Sequence, residues 1–127
     1  MAAALLIVDD DRSISRTLQL LLKSRGYEAD ICNSGAEVLQ RVRVPDALFT
    51  LILMDVRLPD GNGIDVLEQL QPHLNGARVV LMSGYDADFI NEDPRASLAH
   101  AIYTKPIALD SLWALLQEIA PQSDGQP

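Results

Sequence analysis

The 127 residues are 48% apolar and 22% charged, as in one soluble globular domain, and a formal charge of −8 leaves the chain poorly suited to a nucleic-acid backbone, which Lys and Arg must neutralise. Cys32 is the single cysteine, so there is no intrachain disulfide and no thiolate metal cluster; it is expected as a small buried hydrophobe. No basic region precedes the first apolar run, and that run, about six residues, is too short for a signal peptide or a membrane span, so the expected location is the cytoplasm.

Taken in chain order, apolar runs alternate with helical patterns. "ALLIV" (Ala4 to Val8) is continuous, as in a strand buried on both faces. Ile14, Leu18, Leu21 and Leu22 follow at helical spacing, and Gly26 stands where a helix ends. "YEADIC" (Tyr27 to Cys32) alternates like a second strand. Ser34 and Glu37 form an S-x-x-E capping box ahead of Val38, Leu39 and Val42. "ALFTLILMD" (Ala47 to Asp55) is the most apolar stretch and the candidate central strand. "LPDGNG" (Leu58 to Gly63) is dense in turn formers. A short helix with Ile64, Val66, Leu67 and Leu70 closes at Pro72. "ARVVLMS" (Ala77 to Ser83) and "HAIYT" (His100 to Thr104) supply two more strands. A last helix carries Leu109, Leu112, Trp113, Leu116 and Ile119, and "PQSDGQP" (121–127) has the composition of a frayed tail or a linker.

Five strands alternating with five helical segments imply an α/β fold with a mainly parallel sheet. Right-handed crossovers bring the carboxyl ends of all strands to one edge, where such folds bind ligands. Asp9, Asp10 and Asp11 end the first strand, Asp55 the third, Ser83 the fourth, and Thr104 and Lys105 the fifth. Like charges at this density repel. A hard divalent cation such as Mg²⁺, which takes oxygen ligands and keeps several waters, offsets that repulsion. Asp11 fits a helix N-cap instead. A carboxylate beside Mg²⁺ and a lysine can attack phosphorus, because both cations neutralise charge on the transferring oxygens.

The segments "LLIVDDDRS", "LILMDVRLPDGNGID", "VVLMSGY" and "YTKPI", in this order and at strand ends, resemble the receiver domain of two-component response regulators. The resemblance runs from Ala4 to about Ala120. It implies a doubly wound five-stranded parallel sheet of the flavodoxin-like type, order 2-1-3-4-5, with residues 1–120 as the receiver domain. It implies phosphorylation of Asp55 with Mg²⁺ as cofactor. Asp9 and Asp10 match the acidic pair, Asp10 as direct ligand and Asp9 acting through water or a hydrogen bond. The backbone carbonyl of Arg57 matches the third protein ligand. Ser83 matches the switch hydroxyl, Lys105 the family's lysine, Pro106 a cis-proline and Tyr103 the aromatic that reorients on phosphorylation. Two positions past Asp55 and Ser83, the side chains of Arg57 and Tyr85 are expected at the rim. Implied partners are a sensor histidine kinase or phosphotransfer protein as donor, an output domain or partner protein, and a second copy in a phosphorylation-dependent homodimer. The domain is then a signalling switch rather than an enzyme, since its own aspartate is consumed.

The stretch "DADFINEDPRASLAH" departs from the family pattern. Pro94, Asn91 and Asp93 are poor helix-interior residues, so the fourth helix is expected short or broken, ending before Pro94 and restarting at Arg95. Three rival readings stay open. A phosphohydrolase using an aspartyl phosphate would normally carry a second acid/base aspartate at position 57, which is Arg. A nucleotide-binding module would need a Gly-rich loop where Asp9 to Asp11 stand. A receiver serving as a phosphate-independent docking module would rest on Pro94 alone.

Overall fold

The computed structural model describes residues 4–44, 48–84 and 92–121. Strand β1 (Ala4–Val8) leads into helix α1 (Arg12–Ser24), then β2 (Glu28–Cys32), α2 (Gly35–Arg43) and β3 (Leu51–Asp55). A two-residue hairpin, β4 (Arg57–Leu58) and β5 (Gly61–Asn62), precedes α3 (Gly63–Leu70). Next come β6 (Arg78–Ser83), β7 (Ala101–Thr104) and α4 (Leu109–Ile119). The main sheet is parallel throughout, in the order β2-β1-β3-β6-β7. Since β4 and β5 form a separate hairpin, this is the doubly wound 2-1-3-4-5 order of the five long strands.

Alternation along the buried strands splits the core in two. Leu6, Val8, Ile52, Met54 and Leu81 face α2 and α3, where Val38, Ile64, Leu67 and Leu70 complete one layer. Leu5, Ile7, Leu51, Leu53 and Val80 face α1 and α4, meeting Leu18, Leu22, Leu112 and Leu116. All five residues of β3 are buried, as its continuous apolar run requires. A fully buried Leu or Ile contributes about 1.5–3 kcal/mol, so these two layers supply the main drive for folding.

Several boundaries and faces differ from the sequence reading. β3 begins at Leu51 rather than Ala47: Leu51 is the first residue in register with β1, opposite Leu5, although the Thr50 amide still donates to the Ala4 carbonyl at 2.8 Å; Leu48 is exposed, and residues 45–47 lie outside the described set. The buried stripe of α1 is Ser15, Leu18 and Leu22, while Ile14 lies on the exposed shoulder. Ser15 tolerates burial because its hydroxyl donates to the carbonyl of Asp11 at 3.0 Å. In α4 the buried set is Leu112, Leu115 and Leu116, with Leu109 turned outward. Trp113 packs partly on the second core layer, with the Arg25 guanidinium 4.3 Å from its ring centroid.

The described residues hold four α-helices where five helical segments were expected. The region anticipated as a broken fourth helix is seen only from residue 92 onward. There Glu92 is helical and Pro94 opens a 3₁₀ helix, Pro94–Leu98. A proline in the first turn loses no hydrogen bond that the turn needs, and Asp93 caps it by accepting from the Arg95 amide at 2.9 Å. The restart thus falls at Pro94, one residue before the expected position. Of the tail, only residue 121 is described. Among the described residues no helix is long and apolar enough to cross a membrane.

Candidate functional site

The carboxyl ends of β1, β3, β6 and β7 meet at one edge, since their ladders run in step: Val8 lies beside Met54, Asp55 beside Met82 and Ser83 beside Thr104. Asp9 is almost wholly enclosed, its amide donating to the Cys32 carbonyl at 3.0 Å. Its two carboxylate oxygens are both engaged: Oδ1 accepts from the Asp11 amide at 2.9 Å and Oδ2 from Lys105 Nζ at 3.0 Å. Asp55 is buried as well. Its Oδ1 accepts from the Arg57 amide at 3.1 Å and its Oδ2 from Lys105 Nζ at 2.8 Å. Asp10 stands exposed at the mouth, and ligand oxygens from Asp9, Asp10 and Asp55 lie within 4.8 Å of one another.

Lys105 therefore bridges two carboxylates that stand at the ends of two different strands, β1 and β3. Burial lowers its affinity for a proton, but hydrogen bonds and charge from Asp55 and Asp9 outweigh that and hold its pKa above the ordinary lysine value. The ammonium stays charged at neutral pH. Three carboxylates against one ammonium still leave negative charge unmatched in a partly enclosed space. An all-oxygen donor set with excess negative charge fits a hard divalent cation. Ser83 is buried on β6 next to this cluster, and its carbonyl accepts from the Lys105 amide at 2.7 Å. The Lys105–Pro106 peptide is cis. Tyr103 is half-buried, packed on the layer beneath α4, whereas Thr104 is exposed. Arg57 is exposed on the hairpin; Tyr85 lies outside the described residues.

Helix starts fix the loops around this cluster. Asp11 is the N-cap of α1, accepting from the Ile14 amide at 3.1 Å, so one member of the acidic triplet serves the backbone and two are left for the site. Ser34 caps α2 through the Glu37 amide at 3.2 Å; Glu37 reaches back to the Asn33 amide at 3.2 Å, one residue before the N-cap whose amide a capping box would satisfy. Asn62 caps α3 by accepting from Ile64 N at 2.7 Å.

Two residues near the site were missed in the sequence. Asn33 donates from Nδ2 to the Asp9 carbonyl at 3.1 Å. Asp60 accepts through Oδ1 from the Gly35 amide at 2.8 Å and through Oδ2 from the Ala36 amide at 2.9 Å. Asp60 reads as a turn former within "LPDGNG", and nothing in the spacing announces a partner 25 positions away. Cys32 is enclosed at the end of β2, where burial first, and then the Glu37 charge, push its thiol up to about 12; it is no nucleophile at neutral pH.

The chain is similar to known proteins along most of its length. The sequence profile of the response regulator receiver domain matches residues 5–117. The chain is similar to the transcriptional regulatory protein ZraR of Escherichia coli (strain K12), 32% identical over 114 residues that cover 90% of this chain and 25% of that protein. It is similar to the cell cycle transcriptional regulator CtrA of Caulobacter vibrioides (strain NA1000 / CB15N), 30% identical over 120 residues covering 94% and 51%. Among solved structures, a CheY-like response regulator receiver domain from Methylobacillus flagellatus superposes with a TM-score of 0.82 at 28% identity, covering 94% of this chain and 99% of that one. One from Methanospirillum hungatei JF-1 gives 0.83 at 28%, covering 93% of both. The chain spans between a quarter and about half the length of these curated relatives.

Proposed function

The chain belongs to the response regulator receiver domain family of two-component systems, and on that basis we propose that Asp55 is its phosphoacceptor. The observation that supports this is the placement of Asp55: it is buried at the end of the central strand, held by one backbone amide and by Lys105, with Asp9 and Asp10 alongside. A histidine kinase or phosphotransfer protein presents its phosphohistidine to this edge. An Asp55 oxygen attacks phosphorus, the new O–P bond forms as the N–P bond of the donor breaks, and the electron pair leaves with the imidazole nitrogen.

Asp10, Asp55 and the Arg57 carbonyl would hold Mg²⁺. Both oxygens of Asp9 already have partners, which suits it to an indirect role. When bound, Mg²⁺ neutralises charge on the phosphoryl oxygens. Lys105 follows that charge from the carboxylates to the phosphoryl group. Ser83 turns its hydroxyl toward the new oxygens, and Tyr103 shifts further inward. The phosphoryl group thereby biases a two-state domain by its differential affinity for the two states. The domain acts as a signalling switch and not as a turnover catalyst. Its signal passes to an output domain or partner protein, with homodimerisation as one route. Arg57, exposed on the hairpin two positions past Asp55, sets the lifetime of the acyl phosphate; Arg57→Ala is expected to change the decay rate of phosphorylated protein.

Intact-mass measurement after acetyl phosphate and Mg²⁺ tests this reading. Wild type is expected to gain one phosphate, and both Asp55→Asn and chelated wild type none. Phosphate addition that survives Asp55→Asn would overturn it.

A further inference from the structure

We propose that Asp60 is a positioning residue for the Asp55 site, bracing the hairpin after β3 against the first turn of α2. The inference rests on the phosphoacceptor reading for its purpose, but its contacts stand independently. Three observations carry it. The Asp60 carboxylate takes one hydrogen bond on each oxygen, from the Gly35 and Ala36 amides, so it is fixed in direction as well as in distance. Those amides point along the helix from a terminus with partial positive charge, which favours a carboxylate there. The carboxylate lies against the start of the helix itself: a Cβ on Gly35 would stand in ordinary contact with Asp60 Oδ1 at 3.4 Å.

The other end of the same junction holds the acidic pair. Asn33, two residues before Gly35, donates to the Asp9 carbonyl, and its own amide is held by Glu37 of α2. The start of α2 thus grips both loops that carry the carboxylates. From Asp60 the tie reaches Asp55 through three residues of hairpin, because the Arg57 amide donates to Asp55 Oδ1 and Arg57 pairs with Asn62 across the turn. Moving Asp60 therefore moves Arg57, whose amide orients Asp55 and whose carbonyl would face the cation. Groups that orient ligands without touching the metal commonly change its affinity by tenfold or more.

Amide NMR together with Mg²⁺ titration by calorimetry tests the brace on the whole chain. In Asp60→Ala the Gly35, Ala36 and Arg57 amide resonances are all expected to shift without metal, and the Mg²⁺ dissociation constant to rise about tenfold. In acetyl phosphate reactions the Mg²⁺ concentration for half-maximal rate rises, while the rate at saturating Mg²⁺ is largely kept. Asp60→Asn keeps one acceptor oxygen and is expected to fall between wild type and Asp60→Ala; it carries the test if Asp60→Ala does not fold. Shifts confined to Gly35 and Ala36, with Arg57 and Mg²⁺ affinity as in wild type, would reduce Asp60 to a helix cap and overturn the proposal. A wild type that binds Mg²⁺ yet takes no phosphate would instead overturn the phosphoacceptor reading and leave the brace measurable.

Discussion

Two short stretches beside the sheet solve the same problem, how to fix a loop, by opposite means. The loop after β3 is closed through its backbone. The Gly63 amide donates to the Val56 carbonyl at 2.6 Å, Asn62 caps the next helix, and Asp60 reaches α2. The stretch before β7 is held by charge on the surface. Arg95 donates to Asp93 and reaches Asp65 at 2.8 Å and Glu68 at 3.0 Å on α3, all with substantial solvent access. These contacts raise the Arg95 pKa and hold Asp93 below the usual carboxylate range. Close backbone packing fixes position to a fraction of an ångström and tolerates no added atom. Solvated ion pairs hold a segment near a surface and yield to salt. The rigid device directly follows Asp55; the compliant one packs on the exposed side of α3.

Substitutions can break this comparison. The largest effect is expected at Gly63, where a Cβ would stand 2.5 Å from the Asp55 carbonyl oxygen and 3.0 Å from Val56 Cα, both backbone atoms. Gly63→Ala should cost about 3 kcal/mol, the upper part of the overpacking range, read from denaturant midpoints. Gly35→Ala meets the Val66 side chain rather than backbone, with Asp60 in ordinary contact, and alanine is the better helix former; about 1 kcal/mol of loss is expected. If the two substitutions cost the same, backbone closure is not what distinguishes the first loop. Arg95→Ala should change the midpoint least, and the difference from wild type should shrink as salt is raised. The sign with pH follows from Asp93. Its folded pKa is depressed, so the clamp is at full strength above the ordinary carboxylate value of about 4 and is lost as pH falls through the lower folded value. An Arg95→Ala difference that grows with salt or on acidification would contradict the surface-charge account.

The sheet was legible because its strands are continuous apolar runs ending in polar residues, a pattern that buried parallel strands impose. The cluster of Asp9, Asp10, Asp55 and Lys105 was legible for the same reason, since topology alone sends strand ends to one edge. Helix faces were less so. Ile14 matched the spacing of the buried stripe of α1 while Ser15 took the place inside, because its hydroxyl is satisfied by its own helix. At the Pro94 segment the restart of helical structure was legible to within one residue, at Pro94 rather than Arg95, but the Asp93 cap and the Arg95 ion pairs that hold it were not. Asn33 and Asp60 stayed hidden because they serve distant backbone groups, and a side chain that answers an amide 25 positions away leaves no mark on its own neighbourhood.

Reductive trapping tests the central assignment most directly. Protein phosphorylated with acetyl phosphate and Mg²⁺ is treated with borohydride, which reduces an acyl phosphate to an alcohol, and the modified residue is located by peptide mass spectrometry. The phosphoacceptor reading predicts homoserine at position 55 and unmodified aspartate at positions 9 and 10. Homoserine at either of those two, with Asp55 unchanged, would contradict it.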